Sequence, residues 1–235
     1  MRGAARLIVA ALGLVIVASA AVLWLTTPTA ADLEQQVAAV AAAEKVQMLK
    51  PSDVPELLAR AVVAIEDERF YTHHGIDSIG LGRAVLTDAR YACLCEGGST
   101  ITEQLADMAY YSGSGRGRRK LPSMTVALKI EEQNSKAQIL ADYVSIVPSG
   151  AGLTGMRSAS CQFFHHGLDR LTVAEAAELG GMPQAPSAYD PRYHPEAAQH
   201  RRSAVLKRMQ EQRYITESQR AEADQAPVVG SGVGC

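Results

Sequence analysis

The chain has 235 residues and a formal net charge of −2. That length allows one domain of ordinary size with a real core and little more, and the near-neutral balance gives no bulk electrostatic argument for nucleic acid as a partner. Aromatics are only 5% of the residues while alanine is abundant, which suits a helical protein.

The first element follows from hydropathy. After MRGAAR comes LIVAALGLVIVASAAVLWL, an uncharged run long enough to span a bilayer as a helix. Arg2 and Arg6 precede it, and no basic residue follows for some distance, which places the N-terminus in the cytoplasm. Ala18-Ser19-Ala20 has the form of a signal cleavage site, but a retained anchor accounts better for an apolar run that continues through Trp24 and Leu25. Either way the remainder lies outside the cytoplasm, as the periplasmic or extracellular part of a single-pass cell-membrane protein. The expected organisation is a cytoplasmic N-terminus and anchor over 1–25, a stalk over 26–51, a globular domain over 52–225 and a flexible glycine-rich tail over 226–235.

Helix signals then follow one another. In SDVPELLARAVVAI, Ser52 is the expected N-cap and Pro55 falls in the first turn. Apolar residues at 54, 57, 58, 61, 62 and 65 form one stripe. A weaker helix is expected around Ser78–Arg90. GGSTITEQLADMAYY places Thr100 and Glu103 at capping-box spacing. LPSMTVALKIEEQ is helical only if Pro122 lies near its first turn, and KAQILADYVSIV is helical or mixed. LTVAEAAELGGMP repeats the capping logic with Thr172 and Glu175 and ends in Gly180-Gly181. PEAAQHRRSAVLKRMQEQ and ITESQRAEADQ add two more helices. With no alternating strand pattern, the domain reads as mainly α.

The four cysteines, Cys93, Cys95, Cys161 and Cys235, could form disulfides in an exported domain, with connectivity left open. None of them stands at zinc-site spacing, so no metal site is expected.

Two stretches carry chemistry. In IEDERFYTHHG, Glu66, Asp67 and Glu68 sit where a helix ends, and acids there oppose its macrodipole. Ile65 belongs to the buried stripe, so Glu66 borders the core, and partial desolvation would raise its pKa toward the range of a general base. Asp67 reads as a local hydrogen-bond or ion-pair partner, and His73 and His74 as hydrogen-bonded loop residues. In GGST, glycines before a helix N-terminus expose backbone N–H groups beside two hydroxyls, which suits an anion. The following RGRRK adds four cations in five residues, a candidate pyrophosphate or phospholipid-headgroup site or else a solvated loop touching anionic lipid.

Taken in order, EDERFYTHHG, GGSTITEQLADM, RKLPS, KAQILADYVS and LTVAEAAELGGMPQAP resemble the motifs of the peptidoglycan glycosyltransferases (glycosyltransferase family 51, the transglycosylase domain of class A penicillin-binding proteins). The resemblance covers roughly Pro55 to Glu222 and is closest to the single-domain type, since no transpeptidase domain fits in the remaining length. It implies a lysozyme-like α-helical lobe with a small membrane-proximal lobe, acting on lipid II and the nascent glycan strand at the membrane, with other cell-wall synthesis proteins as candidate partners. Glu66 would be the general base on the acceptor 4-hydroxyl, which displaces polyprenyl pyrophosphate with inversion. Substrate binding would fall to Asp67, Phe70, His74, Gly75, Gly98, Ser99, Thr100, Gln104, Arg119, Lys120, Lys136 and Tyr143. No cofactor is required, although a divalent cation such as Mg²⁺ could assist at the pyrophosphate.

The sequence departs from the family pattern at the anion-binding end. Glu103 replaces a glutamine, Asp107 a lysine, Met108 and Ser145 asparagines, and Ser123 a glutamate. Losing one preorganised contact of this kind costs on the order of 3 kcal/mol, and a repelling charge adds to that. Glu103 is expected to close the capping box, its alternative role being to stand in for the lost glutamate, and Arg116 and Arg118 are the candidates to replace the lysine. Alternatives are a relative that binds lipid II or glycan without polymerising it, and a glycan-cleaving enzyme using Glu103 as second carboxylate.

Overall fold

The structure is a computed structural model that describes residues 2–91, 98–111, 119–150, 152–229 and 235. Among these the chain is predominantly helical, with two isolated β-bridges, His74 to Ile76 and Pro148 to Thr154. Helix α1 (Arg2–Thr26) is apolar and meets the domain at its last turn, where Lys129 of the domain reaches Trp24; its stretch Val9–Thr26 is long enough to cross a membrane. Helix α2 (Leu33–Ala43) follows, then α3 (Glu56–Glu66), α4 (Ser78–Tyr91), α5 (Ile101–Tyr111) and α6 (Lys120–Gln133). After these come α7 (Lys136–Ile146), α8 (Met156–Phe164), α9 (Val173–Gly181), α10 (Pro195–Glu211) and α11 (Glu217–Gln225).

Local chemistry explains most of these boundaries. Ser135 caps α7 by accepting from Gln138 N–H, and Thr172 with Glu175 and Thr216 with Gln219 close full capping boxes on α9 and α11. Pro122 sits in the first turn of α6, where its missing N–H is harmless. The start of α3 differs from expectation. Residues Pro51–Asp53 form a separate 3-10 turn in which Asp53 accepts from Lys50 N–H at 2.9 Å. Pro55 is then the N-cap of α3 instead of a first-turn residue.

The core divides into two clusters that share α3. Leu58, Val62 and Val63 of α3 face a cluster built from α2, α5, α6, α7 and α8. Ala61 and Ala64 face the other, with α9, α10 and α11. Burying each Leu or Val contributes roughly 1.5–3 kcal/mol. A fully buried Arg202 on α10 seals the second cluster, donating to Glu178 of α9 and to the carbonyls of Asp224, Ala226 and Pro227. Burial pushes the Glu178 carboxyl up to about 8, against the pull of Arg202.

Residues 26–51 are not a free-standing stalk. Leu33, Val37, Ala41 and Leu49 are buried in the first cluster, and Tyr110 of α5 donates to Asp32 at 3.0 Å. The alanine-rich stretch hides its apolar stripe because the stripe meets α5 and α7. Helix α8 had no counterpart in the sequence reading. Cys161 in α8 forms a disulfide with Cys235, which fixes the last residue of the tail, while Cys93 and Cys95 lie outside the described residues.

Leu33→Ala is therefore expected to destabilise the whole domain by about 2–5 kcal/mol. Chemical denaturation reads this directly; an unchanged midpoint would restore the stalk.

Candidate active site

Two glycines near the end of α9 decide where α3 and α10 run. A Cβ on Gly180 would come within 3.0 Å of the Ala61 backbone, so only glycine lets α3 lie this close to α9. A Cβ on Gly181 would meet Arg201 Cγ at 2.8 Å, and instead the Arg201 Nε donates to the Gly181 carbonyl at 2.8 Å. Arg201, one helix away, is thereby laid across the end of α3 with its guanidinium over the Tyr189 ring at 5.6 Å.

The end of α3 is Glu66. Its Oε2 accepts from Gln104 Nε2 at 2.9 Å, and Arg201 Nη2 stands 3.5 Å from Oε1. Gln104 is oriented in turn by the Tyr143 hydroxyl, which donates to its Oε1 at 3.1 Å. The Glu66 side chain keeps 10% exposure. Burial pushes its carboxyl above the usual value, while the Gln104 hydrogen bond and the Arg201 charge pull the other way. Burial likewise pushes Arg201 down.

Asp67, at the edge of the first groove, acts as a structural hub. His73 Nε2 lies 2.9 Å from both of its oxygens, and the Ile101 N–H at the start of α5 donates to Oδ2 at 3.0 Å. A carboxylate at a helix N-terminus satisfies an orphan donor and complements the macrodipole. Thr100 completes the joint, donating to the Gly75 carbonyl at 2.6 Å and accepting from Glu103 N–H at 3.0 Å. Gly75 has φ +84° and lies flush on α6, where a Cβ would meet the Ala127 backbone at 2.8 Å.

Open grooves flank Glu66 on two sides. One, of about 250 Å³, is lined by Glu66, Asp67, Glu68, Asp77, Arg83 and Arg208, with Gly98, Ser99 and Thr100 at its edge. The other, of about 380 Å³, is lined by Gln104, Asp107, Met108, Pro148, Gln184 and Arg201. Ile65, Glu66 and Ser99 belong to both.

Several residues expected at the substrate sit behind it. Phe70 and Tyr143 are fully buried, and Lys136 pairs with Glu131 at 2.7 Å while lying over the Phe70 ring. His74 is exposed and lines neither groove. Lys120 reaches Ser99 Oγ at 2.8 Å, and Arg119 donates to the Tyr111 carbonyl. Arg116 and Arg118 lie outside the described residues. Glu103 makes only half of the expected capping box. Thr100 accepts its N–H, but its carboxylate is buried and paired with Lys120, which removes it as a second carboxylate facing glycan. Arg201 was missed, because nothing in a helical RR pair 135 residues downstream marks it as a partner of Glu66.

Two of the positions expected to depart from the family pattern meet each other. Ser123 Oγ donates to Asp107 Oδ1 at 2.8 Å. Ser145 has its own structural role, accepting from Leu49 N–H at 2.8 Å and donating to the Ala141 carbonyl.

Fold and site together define a helical protein built around one desolvated carboxylate between two grooves, suited to proton transfer on an extended substrate. A family model described as "Transglycosylase" matches residues 33–210. Penicillin-binding protein 1A of Streptococcus pneumoniae is 37% identical over 200 residues, covering 84% of this chain and 28% of that protein. Penicillin-binding protein 1F of Bacillus subtilis is 38% identical over 165 residues, covering 70% and 23%. A crystal structure of penicillin-binding protein 1A from Haemophilus influenzae aligns over 79% of this chain and 18% of that one, at 22% identity and a TM-score of 0.46. The chain belongs to the transglycosylase family, and it spans about a quarter of the length of the curated relatives it matches.

Asp67→Ala would leave His73 and the Ile101 N–H without their acceptor. The expected loss is about 1.5–3 kcal/mol of stability, measured by urea unfolding at neutral pH; a change near zero would remove Asp67 as the hub.

Proposed function

We propose that the chain is a membrane-anchored peptidoglycan glycosyltransferase that polymerises lipid II. One observation carries this reading: Glu66 is a buried carboxylate with a raised pKa, held by Gln104 and Arg201 where two grooves meet. Glu66 takes the proton of the acceptor 4-hydroxyl. That oxygen bonds to the anomeric carbon of the donor with inversion, while the bond to the pyrophosphate oxygen breaks and polyprenyl pyrophosphate leaves with the electron pair. The grooves on either side offer room for the two sugars, and Ser99 and Gln104 line them as polar partners.

Arg201, Lys120 and Arg119 are the described cations we assign to the pyrophosphate, with Arg116 and Arg118 assigned on sequence alone. Asp107 opposes them in the second groove. In this reading no cofactor is required, and a divalent cation such as Mg²⁺ could assist at the pyrophosphate. The apolar α1 supports a single-pass anchor, and Arg2 and Arg6 before it are the ground for assigning the domain to the outer side. The nascent glycan strand and other cell-wall synthesis proteins are the proposed partners.

The Asp107–Ser123 pair favours a second reading, in which the protein binds lipid II without turning it over. Polymerisation of lipid II in detergent separates the two. Glu66→Gln is expected to lower turnover by about 10²–10⁴-fold, the usual contribution of a general base. Glu66 must be ionised to act, so its raised pKa sets the acid limb of the rate profile above the ordinary glutamate value. Arg201→Met removes a charge that lowers that pKa, so the limb moves to higher pH. Binding of lipid II with no product at any pH or divalent-cation level would establish the second reading instead.

A further inference from the structure

Helix α1 leaves its apolar stretch at Thr26, and the turn that follows is gripped by α6. Lys129 Nζ donates to the carbonyls of Trp24 at 2.7 Å, Thr27 at 2.9 Å and Pro28 at 3.0 Å, and approaches Thr27 Oγ1 at 3.0 Å. The same ammonium lies 5.0 Å from the centre of the Trp24 ring. One turn further along α6, Gln133 Nε2 donates to the Thr29 carbonyl at 2.8 Å. Lys129 is only 5% exposed. Among the described residues none of its hydrogen bonds goes to a carboxylate; its ammonium is held by carbonyls at and just beyond the C-terminal, negative end of α1, with Glu132 adding only a through-space attraction.

The linker beyond is equally shaped. Ala30 is buried with φ +65°, a conformation that a non-glycine residue holds only when its surroundings impose it. Asp32 is then taken by Tyr110. Residues 24–32 are thus fastened to α6 and α5 at successive points, where a tether would need none of these bonds.

Helix α6 also carries site residues. Lys120 at its start reaches Ser99 on the groove edge, and Ser123 holds Asp107. Nine residues separate Lys120 from Lys129, about 14 Å along the helix. One rigid element therefore joins the groove to the point where the apolar helix ends.

We propose that Lys129 is a positioning residue: by capping the C-terminal end of α1, it holds the groove at one fixed height and orientation above the bilayer, so that the reacting end of a lipid-embedded substrate meets Glu66. The proposal rests on the glycosyltransferase and anchor readings given above. Its consequence is specific to lipid-embedded substrates. A long-chain substrate is held at a set depth and cannot follow a groove that swivels, whereas a short-chain, water-soluble analogue can.

The test uses the full chain in phospholipid vesicles and Lys129→Met, which keeps an apolar stem of similar length and loses every donor. Turnover of the long-chain substrate is expected to fall about tenfold or more, as misplacement by an ångström can cost that much. Turnover of a short-chain analogue is expected to stay within about twofold, because nothing at the groove has changed. Gln133→Ala, which removes one bond, should lie between Lys129→Met and the unaltered protein. Equal losses on both substrates, or no loss on either, would overturn the proposal. A second arm needs no activity: spin labels on α1 and α11 should give one narrow distance distribution in the unaltered protein and a broad one in Lys129→Met. Matching distributions would sink the latch even if the chain turns over no substrate, so the failure of this proposal is distinguishable from failure of the glycosyltransferase reading. Thermal melting followed by circular dichroism checks that Lys129→Met remains folded.

Discussion

Helix α3 is committed on two sides, with the exposed Glu56–Arg60 pair facing water. Leu58, Val62 and Val63 are committed to one core cluster and Ala61 and Ala64 to the other, so the helix runs between two halves of the domain and emerges at its far end. What emerges is Glu66, and the geometry leaves its carboxylate little water. An isolated buried charge would be expensive, and the structure answers with one amide and one guanidinium instead of a full ion-pair cage. That incomplete compensation raises the carboxyl while leaving it able to accept a proton from a neighbour. A tighter pair with Arg201 would have lowered it and removed the reason to place an acid there.

The surrounding joints keep this balance steady. Asp67 binds the segment after α3 to the N-terminus of α5, and α5 brings Gln104 to Glu66. Gly180 and Gly181 let α9 and α10 close on the other side, which brings Arg201. Each partner of Glu66 thus arrives from a different helix, and each helix is located by a short list of bonds. Asp107 lines the second groove with Gln104 and Arg201, and its described hydrogen bond goes to Ser123.

Much of the fold was legible in the sequence because helix signals are local. Capping residues, the apolar stripe of α3 and the double glycine of α9 act within one or two turns, and most boundaries followed from them, the start of α3 excepted. Placement of Glu66 at the core border was legible for the same reason, since Ile65 beside it belongs to the stripe. What escaped was non-local. The burial of α2 depends on partners in α5 and α7, and an alanine-rich helix carries a weak apolar stripe on its own. Arg201, the Ser123–Asp107 pairing, the Lys120–Glu103 pairing and the Cys161–Cys235 link all join residues that no spacing rule connects. Glu103 is instructive: its capping-box spacing was real, but Lys120 offered its carboxylate a charged partner, a stronger attraction than a backbone N–H.

The central claim is that burial, not an ion pair, governs the charge of Glu66. Carbon-13 carboxyl NMR of the glutamate-labelled protein, with the Glu66 signal assigned by its loss in Glu66→Gln, measures this without any substrate. The account predicts a midpoint above the ordinary glutamate value of about 4.3. A midpoint at or below that value would mean that Gln104 and Arg201 outweigh burial, and the account of Glu66 as a poised base would be contradicted.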